Sequence, residues 1–185
     1  MAGRPVNFSI FIKPTVVFAG QRAASEAGHI ANTNVGSKRL KHMKVSTVKA
    51  KCKSCGQHFD TPLLSDFAYG EFIYSNRSNP RHKYLFGLNN KTWDFVQSIV
   101  NVDNNVKSKE KGEIIQKIMG QIADNDNKSD PYQNSVIICP TCGQEGKIVD
   151  RDTLTGFVEI EEMTFDRFDR LTPTEKESEV RRFMT

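Results

Sequence analysis

The sequence predicts an α+β fold with small antiparallel β elements, a split four-cysteine site and a helical insertion. Three observations predict it. Short runs rich in β-branched and aromatic residues alternate with turn residues, as in antiparallel sheets. All four cysteines fall into two Cys-x-x-Cys pairs that lie far apart in the chain. The segment between these pairs contains the most regular amphipathic helical pattern of the sequence.

The predicted strands lie on both sides of the first cysteine pair. Residues 7–19 form one or two short strands, because Phe, Ile and Val dominate and Pro14 interrupts them. Residues 20–37 are small and polar, which favours a long loop. The alternation over residues 45–50 predicts a strand that runs into the first cysteine pair. Residues 68–74 are aromatic and predict another strand.

Three helices are predicted. Asn90 can cap a short helix over residues 91–100, with Trp93, Val96 and Val100 on one face. Thr172 followed by a proline predicts the start of a helix in the charged tail. The longest helix covers residues 107–123, and its apolar face consists of Ile114, Ile115, Ile118, Met119 and Ile122.

The second cysteine pair is predicted to lie between short strands. Residues 136–138 form a three-residue strand, and residues 147–149 and 156–160 form a hairpin over the turn RDTLT. We expect the insertion to form a lobe of its own. The predicted organisation is a basic N-terminal β segment with a long loop (1–50), a split cysteine module (51–60 and 136–162), an α/β insertion (61–135) and a charged C-terminal tail (163–185).

The two cysteine pairs share one pattern, CKSCGQ at residues 52–57 and CPTCGQ at residues 139–144. Two intervening residues let a tight turn aim both sulfurs at one ion, and the following glycine permits a left-handed backbone. Two such turns facing each other form a tetrahedral cage for one structural Zn²⁺, although thiolates also suit iron. A closed shell of this kind stabilises a fold and leaves no position for a reactive water. The predicted ligands are Cys52, Cys55, Cys139 and Cys142.

This pattern resembles the zinc-ribbon architecture over about residues 48–60 and 136–162. The spacing differs from the compact form, since 83 residues lie between Cys55 and Cys139, where about 15–20 are usual. A redox or disulfide pair and two separate sites are the alternatives, and His58 could replace one cysteine as a ligand. We see no secretory signal or membrane-spanning run, so we expect a cytoplasmic protein in a reducing compartment.

The charge distribution predicts an anionic partner. Residues 1–55 carry ten lysines and arginines and one glutamate, a net charge of +9, and the remainder must carry −5 because the whole chain carries +4. Such a basic segment favours nucleic acid, since it neutralises phosphates and releases counterions. Trp93 and Tyr74 could stack on unpaired bases. The predicted nucleic-acid contacts are Lys38, Arg39, Lys41, Lys44, Lys49, Lys51, Lys53, Arg77, Arg81 and Lys83.

Three functions follow from these patterns. The first is a non-catalytic accessory protein with structural zinc that binds nucleic acid, and the second is an adaptor or structural subunit of a protein assembly. The third is a nuclease that resembles the HNH type, with His82 and Asn89 or Asn90 as its candidate residues. The Asp-His start of such enzymes is absent, because Arg81 precedes His82. No phosphate-binding loop or nucleophile motif is present, so we expect no catalytic residue.

Overall fold

The computed structural model describes residues 41–77 and 81–184. The strands predicted over residues 7–19, the loop over residues 20–37, and Lys38 and Arg39 lie outside these residues. Within them the fold is a mixed α/β arrangement of one six-stranded sheet and four helices. None of the described helices combines the length and apolar composition that crossing a bilayer requires.

The sheet has the strand order β2-β1-β6-β4-β3-β5, and only the β4–β6 pair is parallel. The strands are β1 (His42–Cys52), β2 (His58–Leu63), β3 (Glu71–Ser75), β4 (Lys83–Phe86), β5 (Gln133–Asn134) and β6 (Gly146–Glu162). The helices are α1 (Lys91–Val102), α2 (Lys111–Ile122), α3 (Asp166–Asp169) and α4 (Pro173–Arg182).

The long strand β6 shows that the predicted hairpin over RDTLT is wrong. The whole of β6 pairs with β1 in one antiparallel ladder, and the RDTLT residues form a bulge in it. Lys49 pairs with Asp150, whereas the adjacent Val48 pairs with Leu154. The Asp150 carboxylate accepts hydrogen bonds from the backbone N–H groups of the second and third residues after it, at 2.9 and 3.2 Å. This local turn chemistry therefore folds the extra residues out of the strand without reversing it.

The bulge also marks the point where β1 changes the face that it buries. Val48, Ala50 and Cys52 are buried on the cysteine side of the bulge, and Val45 and Thr47 are buried on the other side. Side chains alternate along a strand, so these two groups lie on opposite faces. The stronger twist at a bulge explains how one strand buries opposite faces at its two ends. The face opposite Cys52 is therefore exposed at the cysteine end of the sheet.

The insertion does not form the separate lobe that we predicted. Its strands extend the sheet that carries the cysteines, because β4 pairs with β6 through Lys83–Glu161 and Tyr84–Glu162. Residues 136–138 also differ from the prediction. Only Ile138 forms a bridge, with Glu145, and the strand in this region is the shorter β5.

The main hydrophobic core joins the insertion to the C-terminal tail. The Asn90 side chain caps α1 as predicted, accepting hydrogen bonds from two backbone N–H groups at 3.0 Å. Helix α2 begins four residues later than predicted but buries most of the predicted face, with Ile114 only partly buried. The predicted start of α4 is confirmed, because Thr172 and Glu175 form a capping box. Phe168 and Val180 are fully buried in this core, so the tail is part of the fold.

Candidate metal centre

Both cysteine pairs lie in turns at one end of the β1–β2–β6 part of the sheet. The first turn links β1 to β2, and the second leads into β6. Each turn is closed by the same hydrogen bond. The N–H of Cys52 donates to the carbonyl of Gln57 at 2.9 Å, and the N–H of Cys139 donates to the carbonyl of Gln144 at 2.8 Å. The repeated Cys-x-x-Cys-Gly-Gln pattern therefore encodes two copies of one backbone turn.

The glycines of these turns have the conformation that the pattern predicts. Gly56 has a φ of +73° and Gly143 a φ of +67°. This left-handed region is accessible to glycine at little cost, whereas a residue with a Cβ atom is strained there. The glycines thus let the chain turn away from the sulfurs directly after the second cysteine of each pair.

The four sulfur atoms converge in one group, within 4.8 Å of one another. The Sγ–Sγ distances across the two turns include 3.5 Å for Cys52–Cys142, 3.6 Å for Cys55–Cys142 and 3.8 Å for Cys55–Cys139. A tetrahedral site with Zn–S bonds of about 2.3 Å has sulfurs about 3.8 Å apart. All four thiols are free of disulfides. The predicted cysteines therefore form a single group that could bind a metal ion.

Backbone hydrogen bonds favour the thiolate form of Cys52. The N–H groups of Cys55 and Ser54 donate to its Sγ atom, each at 3.4 Å. The bond from the Cys55 N–H has the largest effect. Together with the bond from Ser54 and with hydrogen bonds from the thiols of Cys142 and Cys55, it lowers the pKa of Cys52 to about 6 against the opposing effect of burial. The thiolate, which is the metal-binding form, is thereby favoured.

The close approach of the four sulfurs shifts the pKa values of Cys139 and Cys142 in opposite directions. Burial raises the pKa of Cys139, but hydrogen bonds from the backbone N–H groups of Thr141 and Cys142 outweigh it and lower that pKa. At Cys142 the N–H of Gln144 lowers the pKa, but burial and the three neighbouring sulfurs raise it to about 12. Four thiolates in so small a volume repel one another, so their full ionisation requires a cation among them.

The alternative metal ligand and the nuclease candidates lie apart from the sulfur group. His58 is exposed and is not part of the four-sulfur group. His82 Nδ1 is 2.8 Å from the Oγ atom of the buried Ser75. The Asn90 side chain caps α1, and Asn89 has a positive φ of 59° in the turn before it. Nothing in this arrangement favours the nuclease hypothesis.

The predicted base-stacking residues are not available for that purpose. Tyr74 is fully buried, and its hydroxyl donates a hydrogen bond to the carbonyl of Gln116 at 3.0 Å. Trp93 stacks on Phe72 with ring centroids 4.8 Å apart and packs against the main core. The hypothesis that these rings stack on bases is therefore wrong for Tyr74, and Trp93 is already used in packing.

The predicted nucleic-acid contacts that the structure describes fall into three classes. Four of them have acidic partners: Lys49 with Asp60 and Lys53 with Glu145, both at 3.0 Å, Arg77 with Glu145 at 3.6 Å, and Lys83 with Glu161 at 2.5 Å. Lys44 lies over the ring of Phe157, 4.7 Å from its centroid. Lys41, Lys51 and Arg81 are exposed. A count of charges along the sequence does not distinguish these classes.

No protein family matches the chain, no characterised protein resembles it in sequence, and no solved structure matches its fold. The candidate metal site therefore rests on the cysteine pattern and the sulfur geometry, and no related fold supports the zinc-ribbon label.

Proposed function

We propose that this protein is a non-catalytic nucleic-acid-binding module that is held together by one structural Zn²⁺. The observation that carries the proposal is the convergence of four sulfurs at the spacing of a tetrahedral thiolate site. Four free thiols suit a reducing compartment, so we place the protein in the cytoplasm.

The donor set supports zinc as the metal and a structural role for it. Four thiolates select zinc or iron over the hard cations Mg²⁺ and Ca²⁺, and zinc is the commoner occupant of two paired Cys-x-x-Cys turns. The cysteines fill a tetrahedral shell, which leaves no position for water or substrate. The ion would join the β1–β2 turn to the segment before β6 across 83 intervening residues. Its binding would therefore contribute to folding.

The charge distribution supports nucleic acid as the partner. Lys41, Lys44, Lys49, Lys51 and Lys53 all lie on β1 or directly beside it, and all are exposed. Lys49 and Lys51 share one face of β1, and Lys44 lies on the opposite face. A sheet face that carries exposed lysines can contact phosphates without reading base identity. Because the proposed phosphate contacts lie on a strand and not on a helix that enters a groove, we expect binding that is independent of base sequence.

The test is a titration of labelled single-stranded and duplex oligonucleotides with the zinc-loaded protein at several salt concentrations. We expect binding that weakens steeply with salt, at roughly 0.7 to 0.9 log units per phosphate contact for each log unit of salt. The affinity should be similar for unrelated base sequences. A zinc-loaded protein that binds neither DNA nor RNA at low salt would refute the nucleic-acid part of the proposal and leave the metal site intact.

A second candidate function is an adaptor that docks a protein partner. Phe67 is 95% exposed and Tyr69 is 82% exposed, both in the turn before β3. Large apolar side chains grouped at the surface mark interaction sites. The Phe67→Ser/Tyr69→Ser variant should abolish partner capture at unchanged thermal stability if this surface docks a protein. Unchanged nucleic-acid affinity in the same variant would separate the two functions.

A further inference from the structure

Lys51 lies at the centre of a row of basic residues at the cysteine end of the sheet. The ladder register pairs it with His58 on β2 and with Lys147 on β6. Directly paired residues present their side chains on the same face, with neighbouring strands about 4.8 Å apart. All three residues are exposed. Three strands therefore present two lysines and a histidine side by side on one open face.

The neighbouring lysines differ from this row because each has a carboxylate partner. Lys49 pairs in the ladder with Asp60 and Asp150, and its Nζ atom donates to Asp60 at 3.0 Å. Lys53 donates to Glu145 at 3.0 Å. Among the residues that the structure describes, Lys51 and Lys147 form no ion pair. Of the lysines at this end of the sheet, Lys51 and Lys147 are therefore the ones whose charge no described carboxylate offsets.

The direct opposition of two lysines is unfavourable for the sheet itself. Like charges at paired positions on adjacent strands destabilise the pairing. A bound anion between the two ammonium groups would reverse the sign of this interaction. A phosphate diester fits this description, since a lysine binds phosphate as a point charge and needs no fixed orientation.

We propose that Lys51 and Lys147 form the principal phosphate-binding pair of this protein, with His58 at the edge of the same row. This inference rests on the proposed nucleic-acid function and assigns it to particular residues. Lys49 and Lys53 contribute less, because their charges are offset by carboxylates. Lys147 lies outside the basic N-terminal segment, and it joins the site only through the pairing of β1 with β6.

Another role for the row must be separated from phosphate binding. Four thiolates around a divalent ion carry a net charge of −2, and Lys51 precedes the ligand Cys52 directly in the chain. The row could therefore balance the charge of the metal site. Lys51 and Cys52 point to opposite faces of the strand, which favours an external ligand. Zinc content measured on the same variants separates the two roles.

The experiment compares two double variants that each remove two positive charges from the same end of the sheet. Lys51→Gln/Lys147→Gln removes the proposed pair, and Lys49→Gln/Lys53→Gln removes the acid-paired lysines. Binding of a labelled poly(dT) oligonucleotide is followed by fluorescence anisotropy over a series of salt concentrations, with zinc content and circular dichroism measured on each variant. Lys51→Arg/Lys147→Arg keeps the charges and serves as the rescue control.

We expect the first double variant to reduce the salt slope by about 1.4 log units, since each lost contact to a single strand accounts for roughly 0.7. At ~0.1 M salt this corresponds to a loss of affinity on the order of twentyfold. The second double variant should lose less than half as much in slope, and the arginine variant should bind like the wild type. Zinc content should be the same in all of them.

Three results would overturn the assignment. Equal weakening by both double variants would show that the positive charge acts diffusely. Loss of zinc in Lys51→Gln/Lys147→Gln alone would show that the row serves the metal site. A zinc-loaded wild type without affinity for nucleic acid would overturn both this inference and the proposed function. The first two results leave the proposed function standing, so the failures are distinguishable.

Discussion

The burial of His82 predicts that the stability of the fold falls as the pH is lowered. Its ring bonds to Ser75 Oγ at 2.8 Å, and burial lowers its pKa to about 4 from the ordinary value of 6.5. A neutral ring is therefore favoured in the folded state, while the unfolded chain takes up the proton more readily. The stability that the neutral His82 ring contributes is fully present above pH 6.5 and is lost as the pH falls toward 4.

The magnitude follows from the two pKa values. Between pH 7 and pH 5, the folded state should lose up to about 2 kcal/mol of unfolding free energy relative to a chain without this histidine. The assay is urea unfolding at a series of pH values with zinc in constant excess, for the wild type and for His82→Asn. The asparagine keeps a polar contact to Ser75 but does not titrate in this range.

Zinc binding also weakens at low pH, but it does so in both proteins and cancels in their difference. We expect the stability advantage of the wild type over His82→Asn to shrink as the pH falls from 7 to 5. A difference that stays constant over this range would refute the reasoning. It would show that His82 is protonated as easily in the folded protein as in the unfolded chain.

The remaining predictions concern four glycines and one helix cap. Each variant is tested by urea unfolding of the zinc-loaded protein. Gly56→Ala and Gly143→Ala should each cost about 1 kcal/mol because of their left-handed φ angles, with the larger loss at Gly143, where a backbone carbonyl lies 3.3 Å from the added carbon. Gly120→Ala should cost about 3 kcal/mol, because the added carbon would lie 2.0 Å from the carbonyl oxygen of a neighbouring loop. Gly112→Ala, in the same helix with open space around it, should stabilise the protein by up to about 1 kcal/mol. Asn90→Ala should cost about 1 kcal/mol through loss of the α1 cap. Equal stability of Gly120→Ala and Gly112→Ala would contradict the packing around α2.

The parts of the fold that the sequence predicts well are those with local causes. The cap at Asn90 and the helix start at Thr172 depend on residues within one turn of a helix, and the sequence predicts both at the observed residues. The cysteine group is local only in part, because each Cys-x-x-Cys-Gly-Gln turn forms its own geometry but the pairing of β1 with β6 brings the two turns together. The two turns are separated by 83 residues, so their meeting depends on the rest of the fold.

The wrong predictions concern segments whose conformation or neighbours depend on the strand that they pair with. RDTLT has turn chemistry, and the structure uses it, but pairing with β1 converts the expected hairpin turn into a bulge. The basic residues illustrate the same limit. Lys49 and Lys51 look alike in the sequence, as lysines at alternate positions of one strand. The register nevertheless places Lys49 between two carboxylates and Lys51 beside Lys147. Such cross-strand neighbours depend on pairings between distant segments, which no short pattern encodes.

The metal content of the purified protein shows whether the four cysteines bind zinc. Native mass spectrometry of protein produced in zinc-containing medium should show one zinc ion per chain, and Cys52→Ser and Cys139→Ser should each lose the ion and unfold at a lower temperature. Replacing zinc with Co²⁺ should give the absorption of a tetrahedral thiolate site. A metal-free protein with two disulfide bonds and unchanged stability in the presence of a chelator would contradict the account.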